Sequence, residues 1–104
     1  MKIQINTDKT ISGEERSNEF FTAQIAEALK RFESHITRIE VHLKDENGKK
    51  EGFNKISCLL EARLEGRQPI AITNQANTID LAVNGAVEKV KTAIESILGK
   101  IQKH

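Results

Sequence analysis

Three lysines near the end of the chain, Lys89, Lys100 and Lys103, fall on one flank of the helix-like stretch "NTIDLAVNGAVEKVKTAIESILGKIQK", residues 77–103. Glu88 and Glu95 fall on the other flank, with Asn84 and Gln102. Beside the lysines stand only short side chains: Ala82, Gly85, Thr92, Ala93 and Ser96. Flexible ammonium groups over small neighbours can reach the phosphates of a nucleic-acid backbone, whose charge dominates such binding. The same lysines also suit solubility and the negative end of a helix dipole. Gly85 costs about 1 kcal/mol relative to Ala inside a helix and so marks a close approach. Lys91 lies apart, near the acidic flank.

Catalytic and metal chemistry find less support. His35, His42 and His104 do not cluster along the chain, and their spacing matches no metal-ligand signature, so they read as solvated surface residues. Cys58, in phase with Ile56, Leu60 and Ala62, reads as a small buried apolar residue, not a reactive thiol. No carboxylate stands isolated in an apolar run, where its pKa would rise for acid–base work. There is no P-loop, dinucleotide glycine pattern or nucleophile elbow. The expectation is a protein that is not an enzyme, with no catalytic residues, cofactor, metal or small-molecule substrate.

The chain has 104 residues, enough for one domain with a modest core. Its net charge is only +1, so any polyanion binding must come from local segregation of charge. A single cysteine excludes an intrachain disulfide. The opening "MKIQINTDKT" alternates and is no signal peptide, and no later run has the length of a membrane span. A reducing cytoplasm and no membrane partner are expected.

Periodicity supplies the elements that must position these groups. Ile3 and Ile5 alternate with polar residues as a short strand. A helix follows "ISGEERSNEF", with Phe21, Ile25, Ala28, Leu29 and Phe32 on one face. In "HITRIEVHLK", Ile39, Val41 and Leu43 oppose Arg38, Glu40, His42 and Lys44. Asn47-Gly48 is a hairpin signal. Ile56, Cys58, Leu60, Ala62 and Leu64 form a third strand, "EGRQP" a second turn, and Ile70 and Ile72 a fourth strand that starts at Pro69. The last helix buries Ile79, Val83, Ala86, Val87, Val90, Ile94, Ile97, Leu98 and Ile101, capped by Asn77 or Thr78. The order β-α-β-β-β-α predicts an α+β fold, a four-stranded mixed sheet in order 1-2-3-4 with two helices packed on one face. Helix 1 carries Arg16, Lys30 and Arg31, and its exposed side is expected to form the second wall of a groove shared with the lysine flank.

Three stretches together resemble the ribosome hibernation-promoting factor and ribosome-associated inhibitor family, also called sigma-54 modulation proteins. They are "MKIQIN", "LKRFESHITRIEVHL" and "NTIDLAVNGAVEKV", spread over nearly the whole chain. The resemblance implies a short-form bacterial member, residues 1–104 being a single ribosome-binding domain without the dimerising domain of longer members. It implies binding to the small ribosomal subunit in the channel of tRNA and mRNA when growth slows, through basic residues of both helices against rRNA. Lys30, Arg31 and Lys89 match basic positions of the family. Lys100 and Lys103 complete the expected RNA-binding set from outside the matched positions, and Thr92 stands where members commonly carry another basic residue. A monomer off the ribosome is expected. The rival reading is a protein-binding regulator using the open face of the sheet, with Arg38, Glu40, His42, Glu61 and Arg63, a face that also reads as plain solvated surface.

Overall fold

The computed structural model describes residues 1–7, 15–46 and 55–102, excepting the side chains of 15–17 and 100–102. Within them the chain runs β1 (Lys2–Thr7), α1 (Glu15–Ala28), a 3-10 turn (Lys30–Phe32), β2 (Ile36–Asp45), β3 (Ile56–Leu64), β4 (Ile70–Ala76) and α2 (Ile79–Gln102). The four strands form one sheet in the order β1-β2-β3-β4. β1 pairs parallel with β2, which requires a crossover, and α1 supplies it. The other two pairs are antiparallel. The expected hairpin signal at Asn47-Gly48 lies outside the described residues.

Alternation sets which face each residue joins. Val41 lies opposite Leu60, Leu43 opposite Cys58 and Ile39 opposite Ala62, so all six share one face, and all are buried. Ile3 and Ile5 extend that face into β1, and Ile70, Ile72, Asn74 and Ala76 extend it into β4. The register slips between Ile36 and Arg38, which lets Ile36 be buried although it stands three residues from buried Ile39. At the slip, the Thr37 hydroxyl donates to the Arg63 carbonyl at 3.1 Å.

Both helices cover this face. α1 packs against β1, and α2 lies across β3 and β4. Ile25, Leu29, Ile39, Leu60, Val83, Val90 and Ile94 are fully buried between the layers. No polar or charged residue is buried among the described residues. The expected helical stripe on α1 needs one correction. The α-helix stops at Ala28, and Phe32 belongs to the 3-10 turn that follows. In a 3-10 turn residues three apart eclipse, so Phe32 lies in line with Leu29 and both stay buried, while Lys30 and Arg31 turn outward.

The ends of the elements follow local chemistry. Thr78, not Asn77, caps α2: its hydroxyl accepts from the Leu81 amide at 3.1 Å. Asp80 sits in the first turn, where the helix dipole favours an acid. The turn between β3 and β4 passes through Gly66 at φ 72°, a left-handed backbone that glycine adopts without strain.

Gly85 owes its place to a strand. Asn74 points from β4 toward the first turns of α2, and its amide donates to the Ala82 carbonyl at 3.1 Å. A Cβ on Gly85 would fall inside van der Waals contact of that amide. The close approach signalled in the sequence is thus internal, between β4 and α2. Ala in place of Gly85 would ordinarily gain about 1 kcal/mol of helix propensity. Here Gly85→Ala should instead lower stability, because the Asn74 amide must leave its hydrogen bond. Combining it with Asn74→Ala should recover the loss and yield a double variant more stable than Gly85→Ala alone. Urea unfolding of the four proteins of this cycle checks it, and additive effects would contradict the contact.

Candidate nucleic-acid interface

α2 has three sides, and each meets something different. Its apolar side, with Val83, Ala86, Val87, Val90 and Ile94, enters the core. Its second side carries Leu81, Asn84, Glu88, Lys91 and Glu95, spaced three or four residues apart, and turns toward α1. Two contacts fix that orientation. Gln24 donates to Asn84, and Arg31 Nη2 lies 2.5 Å from Glu95 Oε2. Lys91 is tied on this side to Glu88 at 3.5 Å.

Lys89 lies on the third side, over the sheet edge. Its Nζ donates to the Thr73 carbonyl of β4 at 3.2 Å, and the residue stays exposed. Near it the exposed Thr92 hydroxyl donates back to the Glu88 carbonyl at 3.1 Å. The side chain of Lys100 and all of Lys103 lie outside the described residues. Of the three-lysine flank, the structure therefore places one member.

The basic residues of the 3-10 turn stand elsewhere. Lys30 is exposed and makes no ion pair among the described residues. The Arg31 guanidinium lies 4.5 Å from the centre of the Phe32 ring as well as against Glu95, so its plane is held. Its side chain remains 60% exposed, and a pair so exposed is worth at most about 1 kcal/mol. A phosphate can displace Glu95 from it at small cost.

The groove shared by Arg31 and Lys89, expected from the sequence, does not form. The seam between the helices is lined from α2 by Glu88, Lys91 and Glu95, and Lys89 stands on the far side of α2 from Arg31. Two helices on one sheet face present only one flank each to their seam, and here α2 presents the acidic one. Among the described residues, the expected basic set thus stands at two places, Lys30 and Arg31 at the 3-10 turn and Lys89 over the β4 edge.

The opposite face of the sheet is ordered in rows across the strands. Lys2, Arg38 and Arg63 make one row; Gln4, Glu40 and Glu61 make the next; Asn6, His42 and Leu59 the third. Arg38 bonds Gln4 and, at 3.2 Å, Glu40. His42 Nε2 lies 3.5 Å from Glu61 Oε1. Much of this face is therefore paired within itself. Spacing along the chain missed the meeting of His42 with Glu61, because their contact is made across strands. The signal available was Glu40-x-His42 on the polar face of β2, which needed the register of β3 to become a cluster.

Cys58 is fully buried under α2. Burial pushes its thiol up from 9.0 to about 12, because a thiolate would lose its hydration there. That disfavours nucleophilic chemistry. It also links stability to pH. The unfolded chain ionises this thiol near its ordinary value, while the folded chain holds the proton until about 12. Between those values the folded form binds more protons, so this group's contribution falls as pH rises. The stability gap between the native chain and Cys58→Ala should narrow between pH 7 and pH 10 by roughly 1.4 kcal/mol. Urea unfolding at both pH values checks this, and an unchanged gap would contradict it.

A family model described as "Sigma 54 modulation protein / S30EA ribosomal protein" matches residues 3–102. The N-terminal domain of Thermus thermophilus Protein Y has a similar fold, with a TM-score of 0.74 and 13% identity over 93% of this chain and 99% of that one. A ribosomal subunit interface protein from Coxiella burnetii is similar to the same degree, with a TM-score of 0.74 and 15% identity over 95% and 99% of the two chains. Identities this low speak for the fold alone. No functionally curated protein sequence matches the chain.

Proposed function

Since the chain belongs to the sigma 54 modulation protein / S30EA ribosomal protein family, a family of ribosome-associated binding factors and not of enzymes, we propose that it binds the rRNA of the small ribosomal subunit. On this reading it sits in the channel of tRNA and mRNA, idles the ribosome when growth slows, and acts in the cytoplasm. Residues 1–104 act as a single ribosome-binding domain, monomeric off the ribosome, with no cofactor. The observation that carries the reading is the family match across residues 3–102.

The chemistry on the helix layer supports it. Lys30 and Arg31 project from the 3-10 turn, and Lys89 projects over β4, each exposed. Lys100 and Lys103 continue the same helical flank as Lys89 in the sequence. The interface would be two basic patches on either side of α2, with the acidic seam between them held off the phosphates. Such an arrangement follows rRNA chiefly by shape and charge: the chain has no Tyr or Trp, and Phe21 and Phe32 are buried in the core. With a net charge of only +1, each placed cation counts for more.

Charge reversal tests this directly. Lys89→Glu and Lys30→Glu should each weaken co-sedimentation with the small subunit. Each should also flatten the dependence of log K on log salt, by about 0.7–0.9 for every phosphate that the variant no longer neutralises. Lys91→Glu changes net charge equally but sits on the α1 side beside Glu88, and should matter much less. Combining Lys89, Lys100 and Lys103 as Glu should abolish binding while circular dichroism stays native. If Lys91→Glu weakens binding as much as Lys89→Glu, general charge and not the flank is responsible. If the triple variant binds normally, the RNA reading fails and the open sheet face becomes the better candidate.

A further inference from the structure

We propose that Glu40, His42 and Glu61, on the sheet face away from the helices, form a binding site for a divalent transition-metal ion of the zinc class. One ligand atom from each lies within 4.8 Å of the other two. The register produces the cluster. Glu40 and His42 stand two apart on β2 and so share a face, and Glu61 stands directly opposite Glu40 on β3.

The spacing suits an ion. Two ligands of a tetrahedral zinc, with bonds of about 2.0–2.1 Å, stand about 3.3 Å from each other. His42 Nε2 and Glu61 Oε1 are 3.5 Å apart, so that pair already has the required separation. A carboxylate oxygen of Glu40 lies within 4.8 Å of both. Carboxylates directly opposed across a sheet repel, and a cation between them removes that cost.

Glu40 is also held for the role. Arg38 donates to its Oε1 at 3.2 Å and is itself bonded to the Gln4 side-chain oxygen. That leaves the lone pairs of Oε2 for an ion. Outer hydrogen bonds of this kind orient ligating carboxylates in metal sites generally. The arrangement is half-enclosed: the side chains of Glu40, Glu61 and His42 are 22%, 34% and 43% exposed. An ion can enter, and water can fill the fourth position. A cavity of about 330 Å³, bordered by Asn6, His42, Lys44, Ser57 and Leu59, opens on the His42 side of the cluster.

The donor set selects the class of ion. One imidazole nitrogen with two carboxylate oxygens suits zinc and its neighbours, whereas calcium and magnesium prefer oxygen alone. An ion here would join β2 to β3 and stabilise the folded chain only.

Calorimetric titration of the purified native chain with zinc chloride tests the site. One ion per chain should bind with micromolar affinity, and the unfolding temperature should rise with zinc concentration. Magnesium chloride at the same concentration should give neither effect. His42→Ala and Glu61→Gln should each weaken zinc binding at least tenfold, whereas His35→Ala should leave it unchanged. Amide NMR shifts on adding zinc should concentrate in β2 and β3. Glu61→Gln keeps the size of the side chain, so its result stands even if His42→Ala perturbs the fold. Absence of heat and of any thermal shift with the native chain at roughly 100 µM zinc, far above a micromolar Kd, would overturn the proposal. So would native-like binding by Glu61→Gln, or loss of binding in His35→Ala. None of these outcomes depends on ribosome binding.

Discussion

Only the two helices can shield the apolar face of the sheet from water, and both must lie on that one face. β2 and β3 bury every second residue, so their other residues cannot enter a core. The apolar stripes of α1 and α2 are each one-sided, and no described polar or charged residue is buried between the layers. Burial of apolar area is the dominant favourable term in folding, so this constraint outweighs local preferences. It overrides α-helical spacing at Phe32, where a tighter turn keeps the ring against Leu29. It also overrides helix propensity at Gly85, where the Asn74 amide takes the space of a side chain.

The same constraint distributes the charges. Once α2 has turned its apolar side to the sheet, its remaining surface splits into a flank toward α1 and a flank over the β4 edge. Glu88 and Glu95 fall on the first, Lys89 on the second. Arg31 is drawn into an exposed pair with Glu95, while Lys30 beside it makes no ion pair among the described residues. Among the described residues, Lys30 and Arg31 therefore stand on one side of an acidic strip and Lys89 on the other. A nearly neutral protein can hold a directed electrostatic surface in this way. The far side of the sheet follows a different logic. There Arg38 pairs with Glu40 along β2 and bonds Gln4 on β1, and His42 meets Glu61 on β3, all away from the helix layer.

Much of the fold is legible along the chain because hydrophobic period is a local property. Alternation in "HITRIEVHLK" and "ISCLLEARL" and the long stripe from Ile79 to Leu98 specify strand, strand and helix. The order of elements then admits few sheets, and β1-β2-β3-β4 is the economical one. The residues quoted for the family resemblance lie in β1, in the 3-10 turn and β2, and at the start of α2, and the family model matches the chain over residues 3–102. Charge segregation on α2 was visible for the same reason, since it depends only on helical spacing.

What the sequence could not decide is which flank of α2 would face α1. Both flanks border the same apolar stripe, and the choice rests on how α2 crosses β3 and β4 and on where α1 ends. Contacts between residues some sixty positions apart, Gln24 with Asn84 and Arg31 with Glu95, settled it. The partner of Gly85 and the meeting of Glu40, His42 and Glu61 have the same origin. Each joins residues on different elements, and register and packing angle, which no local pattern records, brought them within reach.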